Sequence, residues 1–149
     1  MTEHVLVPID GSPRSEHALE HALGMDDVEL TVITVINPFD TDPNTIGLQS
    51  PTGIPGMPGY SEEWYEGARA EVEELHAAAS EQAAEAGIGL SSEIEVGDPA
   101  RRILRYVENN DVDHVVVGSH DRTDLTRILL GSVAERVVRR SPVPVTVVR

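Results

Sequence analysis

The chain has 149 residues, a length that suits one domain whose core is large enough to fold without disulfides. It contains no cysteine, which excludes a disulfide framework and a thiolate zinc site. Acidic residues outnumber basic ones by 26 to 11, and every basic residue is an arginine. The net charge of −15 disfavours sequence-independent binding of nucleic acid, because it repels a polyanion.

We interpret the negative charge as an adaptation to concentrated salt, because the Debye length falls to about 3 Å at 1 M and self-repulsion is then screened. Three groups of arginines, at positions 101/102/105, 122/127 and 136/139/140, are not expected to form a basic face against this background. The sequence shows no signal-peptide pattern and no apolar stretch long enough to cross a bilayer. We therefore expect a halophilic, cytoplasmic protein that binds neither nucleic acid nor membrane.

We expect the melting temperature to rise by several degrees when potassium chloride is added to a low-salt solution, because the added ions screen repulsion between acidic side chains. Thermal unfolding followed by circular dichroism over a series of potassium chloride concentrations would measure this change. A melting temperature that stays constant across the series would contradict the halophilic interpretation.

The predicted elements alternate between strands and helices. Apolar runs rich in β-branched residues predict strands at residues 4–9, 29–36, 88–96, 113–118 and 143–148. The third strand alternates apolar and polar residues, which is typical of a sheet edge. Capping and proline signals predict helices that begin at Pro13, Glu62, Pro99 and Val133.

Apolar stripes indicate which faces of these helices are buried. The first helix is capped by Ser12 and ends at Gly24, and the second extends to about Ala86. The predicted stripe of the second helix comprises Trp64, Ala68, Val72, Leu75, Ala79 and Ala86, and that of the third comprises Ile103, Leu104 and Val107. Between the second strand and the second helix, residues 37–60 hold five of the ten prolines and four of the twelve glycines. This loop is either a functional lid or a disordered insertion.

The residues around the fourth strand suit an anion, and a phosphate above all. The strand ends at Gly118, a polar loop follows, and Ser132 with Glu135 forms a predicted capping box at the start of the last helix. Backbone N–H groups at such a helix start attract phosphate. The same residues also occur in α/β proteins without any ligand, so the local pattern leaves both interpretations open.

The order of elements predicts an α/β fold with a mainly parallel sheet and helices on both faces. If the chain winds outward to the third strand and then returns, the first and fourth strands are neighbours. Ligands bind where the winding direction reverses, beyond the carboxyl ends of the strands. The stretches Pro8-Ile9-Asp10 and Val117-Gly118 then meet in one crevice.

The sequence resembles the universal stress protein family over nearly its whole length. The resemblance lies in VLVPIDGS, VGDPARRIL and VVVGSHDRTDLTRILLGSVAERVVRRSPVPVTVV, the last being the most specific. It implies one domain over residues 1–149 with a doubly wound, five-stranded parallel sheet in the order 3-2-1-4-5. Nucleotide-binding members have a glycine, two residues, a second glycine, nine residues, and then glycine with serine or threonine. Gly118, Gly131 and Ser132 match this pattern, whereas Asp121 replaces the second glycine.

The resemblance implies a site for ATP, or for AMP or ADP, with magnesium. Asp10 is the implied partner of the ribose, and Gly131, Ser132 and Val133 would face the phosphates. His120 flanks the loop and would add positive charge there, although a solvated loop histidine fits the sequence equally well. The implied cofactor-binding residues are Pro8, Ile9, Asp10, Val35, Val117, Gly118, His120, Asp121, Gly131, Ser132 and Val133.

Asp121 departs from the family pattern in both shape and charge. A carboxylate about 5 Å from a phosphate costs about 1 to 2 kcal/mol in water-like surroundings, and the added Cβ limits close approach. Three effects offset this: aspartate tolerates left-handed backbone, salt screens the repulsion, and a magnesium ion can be shared between Asp121 and the phosphates. We therefore name Asp121 as the candidate metal ligand.

The sequence leaves three functional classes open. The first is a nucleotide-binding homodimer that signals stress, paired through the exposed edge strand at residues 143–148. The second is a stress protein that acts only through protein contacts, and the third is a slow ATPase. The absence of lysine and of a P-loop argues against efficient phosphoryl transfer. His17 and His21 have the spacing of a two-histidine metal site, but exposed surface histidines are the stronger expectation.

Overall fold

A computed structural model of the protein describes residues 2–38, 62–119 and 132–149. Most of the loop at 37–60 lies outside these ranges, as do Ser61, His120, Asp121, Gly131 and the arginine pair 122/127. The strands are β1 (Glu3–Pro8), β2 (Val28–Ile36), β3 (Leu90–Val96), β4 (His114–Gly118) and β5 (Val145–Val148). The helices are α1 (Pro13–Leu23), α2 (Glu62–Ala86), α3 (Pro99–Asn109) and α4 (Ser132–Arg140).

The five strands form one parallel sheet in the order β3-β2-β1-β4-β5, which confirms the predicted doubly wound α/β fold. The middle of the central strand β1 is apolar because both of its faces are covered there, and Val5, Leu6 and Val7 are fully buried. β3 lies at one edge of the sheet, as its alternating sequence predicts, and β5 lies at the other.

Alternate residues along the strands build a core on each face of the sheet. One core joins β1, β2 and β4 to α1 and α2, and it includes Val5, Val7, Leu19 and Val116. The other joins the same strands to α3 and α4 through Leu6, Ile33, Ile103, Val115 and Val137. Because parallel strands and their crossover helices run in opposite directions, the helix starts lie at the carboxyl edge of the sheet.

Two helix starts follow the predicted capping chemistry. Ser12 accepts a hydrogen bond from the Ser15 N–H at 3.3 Å, and Pro13 takes the first helical position. The Asp98 side chain accepts a hydrogen bond from the Arg101 N–H at 3.0 Å, and a proline again takes the first helical position. These bonds satisfy N–H groups that have no partner within the first turn of a helix.

Three sequence predictions about helices are corrected by the structure. The last helix begins at Ser132, so this residue is not a cap, and Glu135 pairs with Arg139 at 2.7 Å instead of completing a capping box. Ala86 is exposed because it is the final residue of α2, and Ala83 is buried in its place. Leu104 is only half-buried.

The packing of α3 against α4 brings two of the three arginine groups to the same side of the sheet. The two helices pack side by side, so the arginine groups at 101/102/105 and 136/139/140 are neighbours in the fold. Together these helices carry six arginines and two glutamates, a net charge of +4.

Two further observations concern membranes and metals. No helix in the described ranges combines the length and apolar character needed to span a bilayer. His17 and His21 are both exposed on α1, and no group of three or more metal-binding side chains occurs among residues 2–38, 62–119 and 132–149.

Candidate functional site

The ladder between β1 and β4 stops before either strand ends, and we call the region beyond this break the crevice. β1 pairs with β2 up to Pro8↔Ile33, but its pairing with β4 is confined to Val5↔His114 and Leu6↔Val115. The last residues of β1 and β4 therefore form no ladder with each other. This is the position at which the chain reverses its winding direction.

Pro8 explains why the ladder ends there. The Ile9 N–H donates to the Ile33 carbonyl in β2, whereas the His4 carbonyl accepts from Asp113 beside β4. Odd-numbered residues of β1 therefore point their backbone polar groups towards β2, and even-numbered residues point theirs towards β4. Pro8 belongs to the second set but has no N–H to donate. The ladder to β4 ends at this point because Pro8 lacks the N–H group that would continue it.

The turn after β1 fixes Asp10 at the mouth of this crevice. Gly11 has a φ of +84°, a conformation that favours glycine. The Asp10 Oδ1 atom accepts a hydrogen bond from the Ser12 N–H at 2.9 Å, and the Asp10 N–H donates to Ser15 Oγ at 3.2 Å. The Ser15 hydroxyl in turn donates to the Ser12 carbonyl at 3.0 Å. The Asp10 side chain remains exposed, so it is oriented by the turn and still accessible.

Beneath the turn lies a buried chain of hydrogen bonds from α2 to β1. The Thr34 Oγ1 atom donates to the Ile9 carbonyl at 2.7 Å and lies 2.7 Å from His76 Nε2. A carbonyl only accepts, so the single hydroxyl proton of Thr34 is directed to Ile9. His76 Nε2 must then carry a proton and donate it to Thr34. The carbonyl of Ile9, next to Asp10, is held by this relay.

His76 is therefore a neutral histidine in the protein interior. It is 4 % exposed, and burial lowers its pKa below the usual value of 6.5. Its Nδ1 atom is buried and has no hydrogen-bond partner in the part of the chain that the structure describes. A bare lone pair in that position is tolerated at moderate cost, whereas an unpaired charged N–H would cost more.

Gly118, at the end of β4, lies against the first turn of α1. A Cβ atom at this residue would lie 2.5 Å from the Arg14 carbonyl oxygen and 2.7 Å from its carbonyl carbon. Both atoms belong to helix backbone, which cannot rotate away. The glycine is thus required by helix-to-strand packing, in addition to any part it has in ligand approach.

The backbone around Gly118 also faces the crevice. The Val115 N–H donates to the Pro144 carbonyl at 3.0 Å and the Ser119 N–H to the Val148 carbonyl at 2.8 Å, so odd-numbered residues of β4 point towards β5. Gly118 consequently points its backbone polar groups towards β1. Ser119 is fully buried, and its hydroxyl has no hydrogen-bond partner among residues 2–38, 62–119 and 132–149.

The first turn of α4 lies at the same edge of the sheet and is held in part by α3. Arg136 donates to Asp98 Oδ1 at 3.0 Å, which ties α4 to the residue that caps α3. Burial alone would raise the pKa of Asp98, but the Arg136 guanidinium and the Arg101 N–H together lower it. The Ser132 side chain is exposed and makes no hydrogen bond within the described part of the chain.

The structure places eight of the eleven predicted binding residues at this edge of the sheet or on the strands that lead to it. Val35 lies on β2 and packs on the same face of the sheet as Ile33. The positions of His120, Asp121 and Gly131 lie outside the described residues. The eight are Pro8, Ile9, Asp10, Val35, Val117, Gly118, Ser132 and Val133.

Sequence reasoning missed Ser15, Thr34 and His76, the residues that support the turn from below. His76 is four residues from Val72 and three from Ala79, both of which belong to the predicted stripe of α2. The available signal was a polar residue within the apolar stripe of α2, because a polar side chain buried there requires a hydrogen-bond partner.

Comparison with known proteins identifies the family. The universal stress protein family matches the chain over residues 1–149. A universal stress protein of Methanocaldococcus jannaschii is 33% identical over 147 residues, covering 97% of this chain and 81% of its relative.

Three solved structures have the same fold. A universal stress protein from Lactobacillus plantarum has a TM-score of 0.75 with 24% identity, over 99% of this chain and 97% of the other. An Arabidopsis thaliana family member, solved with AMP bound, has a TM-score of 0.69 with 19% identity, over 98% and 90%. A universal stress protein in complex with cAMP has a TM-score of 0.66 with 24% identity, over 99% and 97%. The chain belongs to the universal stress protein family.

Proposed function

We propose that the chain is an adenine-nucleotide-binding stress-response module that holds ATP, or AMP or ADP, in the crevice between β1 and β4. The observation that carries the proposal is the break in the β1–β4 ladder beside an exposed, oriented aspartate. Support comes from the fold neighbours that contain AMP and cAMP. In this proposal the adenosine lies against Pro8, Val35 and Val117.

Asp10 has the geometry of a ribose partner. Its Oδ1 atom is occupied by the Ser12 N–H, and Oδ2 makes no hydrogen bond within the described residues. An exposed carboxylate oxygen fixed in this way accepts hydrogen bonds from a pair of sugar hydroxyls. The Ile9 carbonyl behind it is already bound to Thr34, which keeps the turn from collapsing into the crevice.

The phosphates would lie at the start of α4. Ser132 supplies a hydroxyl that is free of internal hydrogen bonds, and the positive end of the helix favours an anion. From the sequence alone, we propose that magnesium is shared between Asp121 and the phosphates. Without lysine, any ATP hydrolysis is expected to be slow.

The proposal includes a cytoplasmic homodimer formed through β5. This strand pairs with β4 on one side and has no second strand neighbour among the described residues. Unpaired backbone of this kind is covered when two copies place their edge strands together. The second candidate, a stress protein that acts only by protein contacts, is favoured by the replacement of the motif glycine with Asp121.

Titration with Mg-ATP separates the first two candidates. Binding by the wild type is expected in concentrated potassium chloride, and Ser132→Ala is expected to weaken it about tenfold, because a hydrogen bond to a charged phosphate is lost. Isothermal titration calorimetry would measure both constants. Ser80→Ala, at an exposed serine on α2, is the matched control and should bind as the wild type does.

Asp121→Gly provides the complementary test. If nucleotide binding has been lost, the wild type shows no heat of binding, while the glycine variant regains it. That result would replace the first candidate with the second.

A further inference from the structure

The outer surface of α3 and α4 carries a concentrated positive charge that the nucleotide proposal does not use. We call this surface the arginine face. It consists of Arg101, Arg102, Arg105, Arg136, Arg139 and Arg140. These are six of the eleven basic residues of the whole chain, gathered on two adjacent helices.

Internal ion pairs account for only two of the six. Arg136 pairs with Asp98 at 3.0 Å and Arg139 with Glu135 at 2.7 Å. Among residues 2–38, 62–119 and 132–149, no ion pair engages Arg101, Arg102, Arg105 or Arg140. Asp98 interacts electrostatically with Arg101, but within these ranges no carboxylate forms an ion pair with any of the four.

The opposite face of the sheet has the opposite charge. α2 alone carries eight glutamates and one arginine, a net charge of −7. A surface adapted only for solubility would intersperse the two signs. Here they are segregated, and a negatively charged partner placed on the arginines would reduce the repulsion between them.

A polar groove adjoins the arginine face and indicates which negatively charged group of a partner would bind there. The groove has a volume of about 260 Å³ and is lined by Glu95, Arg102, Arg105, Tyr106, Asn109 and Asn110. Guanidinium, amide and phenol groups offer hydrogen-bond donors in planes that match a carboxylate. α4 also exposes a large hydrophobic side chain, Val138, which is 40 % exposed.

We propose that the arginine face docks an acidic segment of a partner protein, with its carboxylates on Arg101, Arg105 and Arg140. Arginine and tyrosine are the side chains that protein interfaces favour. A nucleic acid suits the surface less well. Its phosphates would extend past the arginine face, where the protein, with a net charge of −15, repels them. Docking here would leave the crevice between β1 and β4 open.

The test measures binding of a fluorescently labelled ten-residue glutamate peptide by anisotropy. It uses the full chain at the lowest potassium chloride concentration that preserves its circular dichroism spectrum. The double variant Arg101→Gln/Arg105→Gln is expected to bind about tenfold more weakly, since each exposed pair contributes a few-fold. Arg69→Gln, which removes the single arginine of α2, is the matched control and should bind as the wild type does.

Three outcomes would overturn the proposal. The first is that the wild type does not bind the peptide, or that the double variant and the control lose peptide affinity equally. The second is that a ten-nucleotide thymidine strand binds as tightly as the peptide, which indicates a general polyanion site. The third is that sedimentation shows self-association abolished by Arg101→Gln/Arg105→Gln, which makes a second copy the occupant.

Discussion

Gly118→Ala is expected to lower the free energy of unfolding by about 3 kcal/mol, because overpacking against an unyielding neighbour costs this much. The new Cβ would lie 2.5 Å from the Arg14 carbonyl oxygen, so α1 would have to move away from β4. Such a movement displaces Ser12 and Ser15, whose hydrogen bonds orient Asp10. The variant is therefore expected to lose nucleotide binding as well. Chemical denaturation and calorimetric titration would measure the two effects.

Gly67→Ala is the matched control for this substitution. Gly67 lies within α2, and apart from its chain neighbours and the adjacent backbone of α2, no atom of the described residues would lie within 4 Å of a Cβ at that position. Alanine there is expected to stabilise the protein by about 0.5 to 1 kcal/mol, because it lowers the entropy of the unfolded chain and favours helix. If Gly118→Ala were as stable as the wild type, the close packing of α1 against β4 would be contradicted.

Thr34→Val is expected to lower the free energy of unfolding by about 3 kcal/mol without changing the volume of the side chain. The substitution leaves the Ile9 carbonyl and the His76 Nε2–H buried without partners, and each unsatisfied group costs about 1 to 3 kcal/mol. Release of the Ile9 carbonyl also frees the turn, so nucleotide affinity should fall about tenfold. Thr34→Ser keeps the hydroxyl and should lose about 1 kcal/mol and no affinity.

Thr31→Val separates positioning from general stability. Thr31 is also buried, and it is bonded to a histidine, with its Oγ1 atom 2.8 Å from His4 Nε2. That pair is three residues further from the carboxyl end of β2, and His4 is half-buried. Thr31→Val should therefore cost some stability and leave nucleotide affinity unchanged. An equal loss of affinity in Thr31→Val and Thr34→Val would show that the relay has no specific effect on the site.

The same relay predicts a pH dependence of stability. Below pH 6.5 a histidine in the unfolded chain gains a proton, whereas folded His76, with its lowered pKa, stays neutral. The free energy of unfolding therefore falls as the pH falls from 6.5 towards the lowered pKa, by at most about 1.4 kcal/mol per pH unit from this residue. Above pH 6.5 His76 is neutral in both the folded and the unfolded protein, so it adds no pH dependence to the free energy of unfolding.

Comparison with His76→Gln isolates this contribution, because all other titrating groups are common to both proteins. The difference in unfolding free energy between wild type and variant should be constant above pH 6.5 and decrease below it. Urea denaturation at a series of pH values would measure the difference. Parallel curves at every pH would mean that His76 accepts a proton in the folded protein without penalty.

The alternation of strands and helices predicted the parallel α/β fold, because it depends on local signals, and the resemblance to the family implied the strand order. The meeting of β1 with β4 followed from general rules, on the condition that the chain winds outward to the third strand and then returns. Pro8, Asp10 and Gly118 could be assigned to one edge in this way. Ser12 and Asp98 were also predictable, since a cap and the proline after it are adjacent in the chain. The end of α2 at Ala86 was also predicted, but the burial of that residue was not, because the helix end projects beyond the core.

Contacts between distant residues were not predictable in the same way. Thr34 and His76 are 42 residues apart, and only the packing of α2 on β2 brings them within hydrogen-bonding distance. The arginine face was missed for the same reason, because its two halves lie on separate helices and become neighbours only through the crossover past β4. The close approach of the Arg14 backbone to Gly118 was likewise not predictable, because it depends on how α1 packs against β4.

Pro8 also has a kinetic consequence for the crevice. The β1–β4 ladder ends because a donor is covalently missing, so the strands are already apart at this edge before any molecule enters. A ligand arriving there breaks no backbone hydrogen bond and waits for no rearrangement of the sheet. Its association should be limited by diffusion and by the electric field of an acidic protein, so that added salt accelerates the capture of an anion.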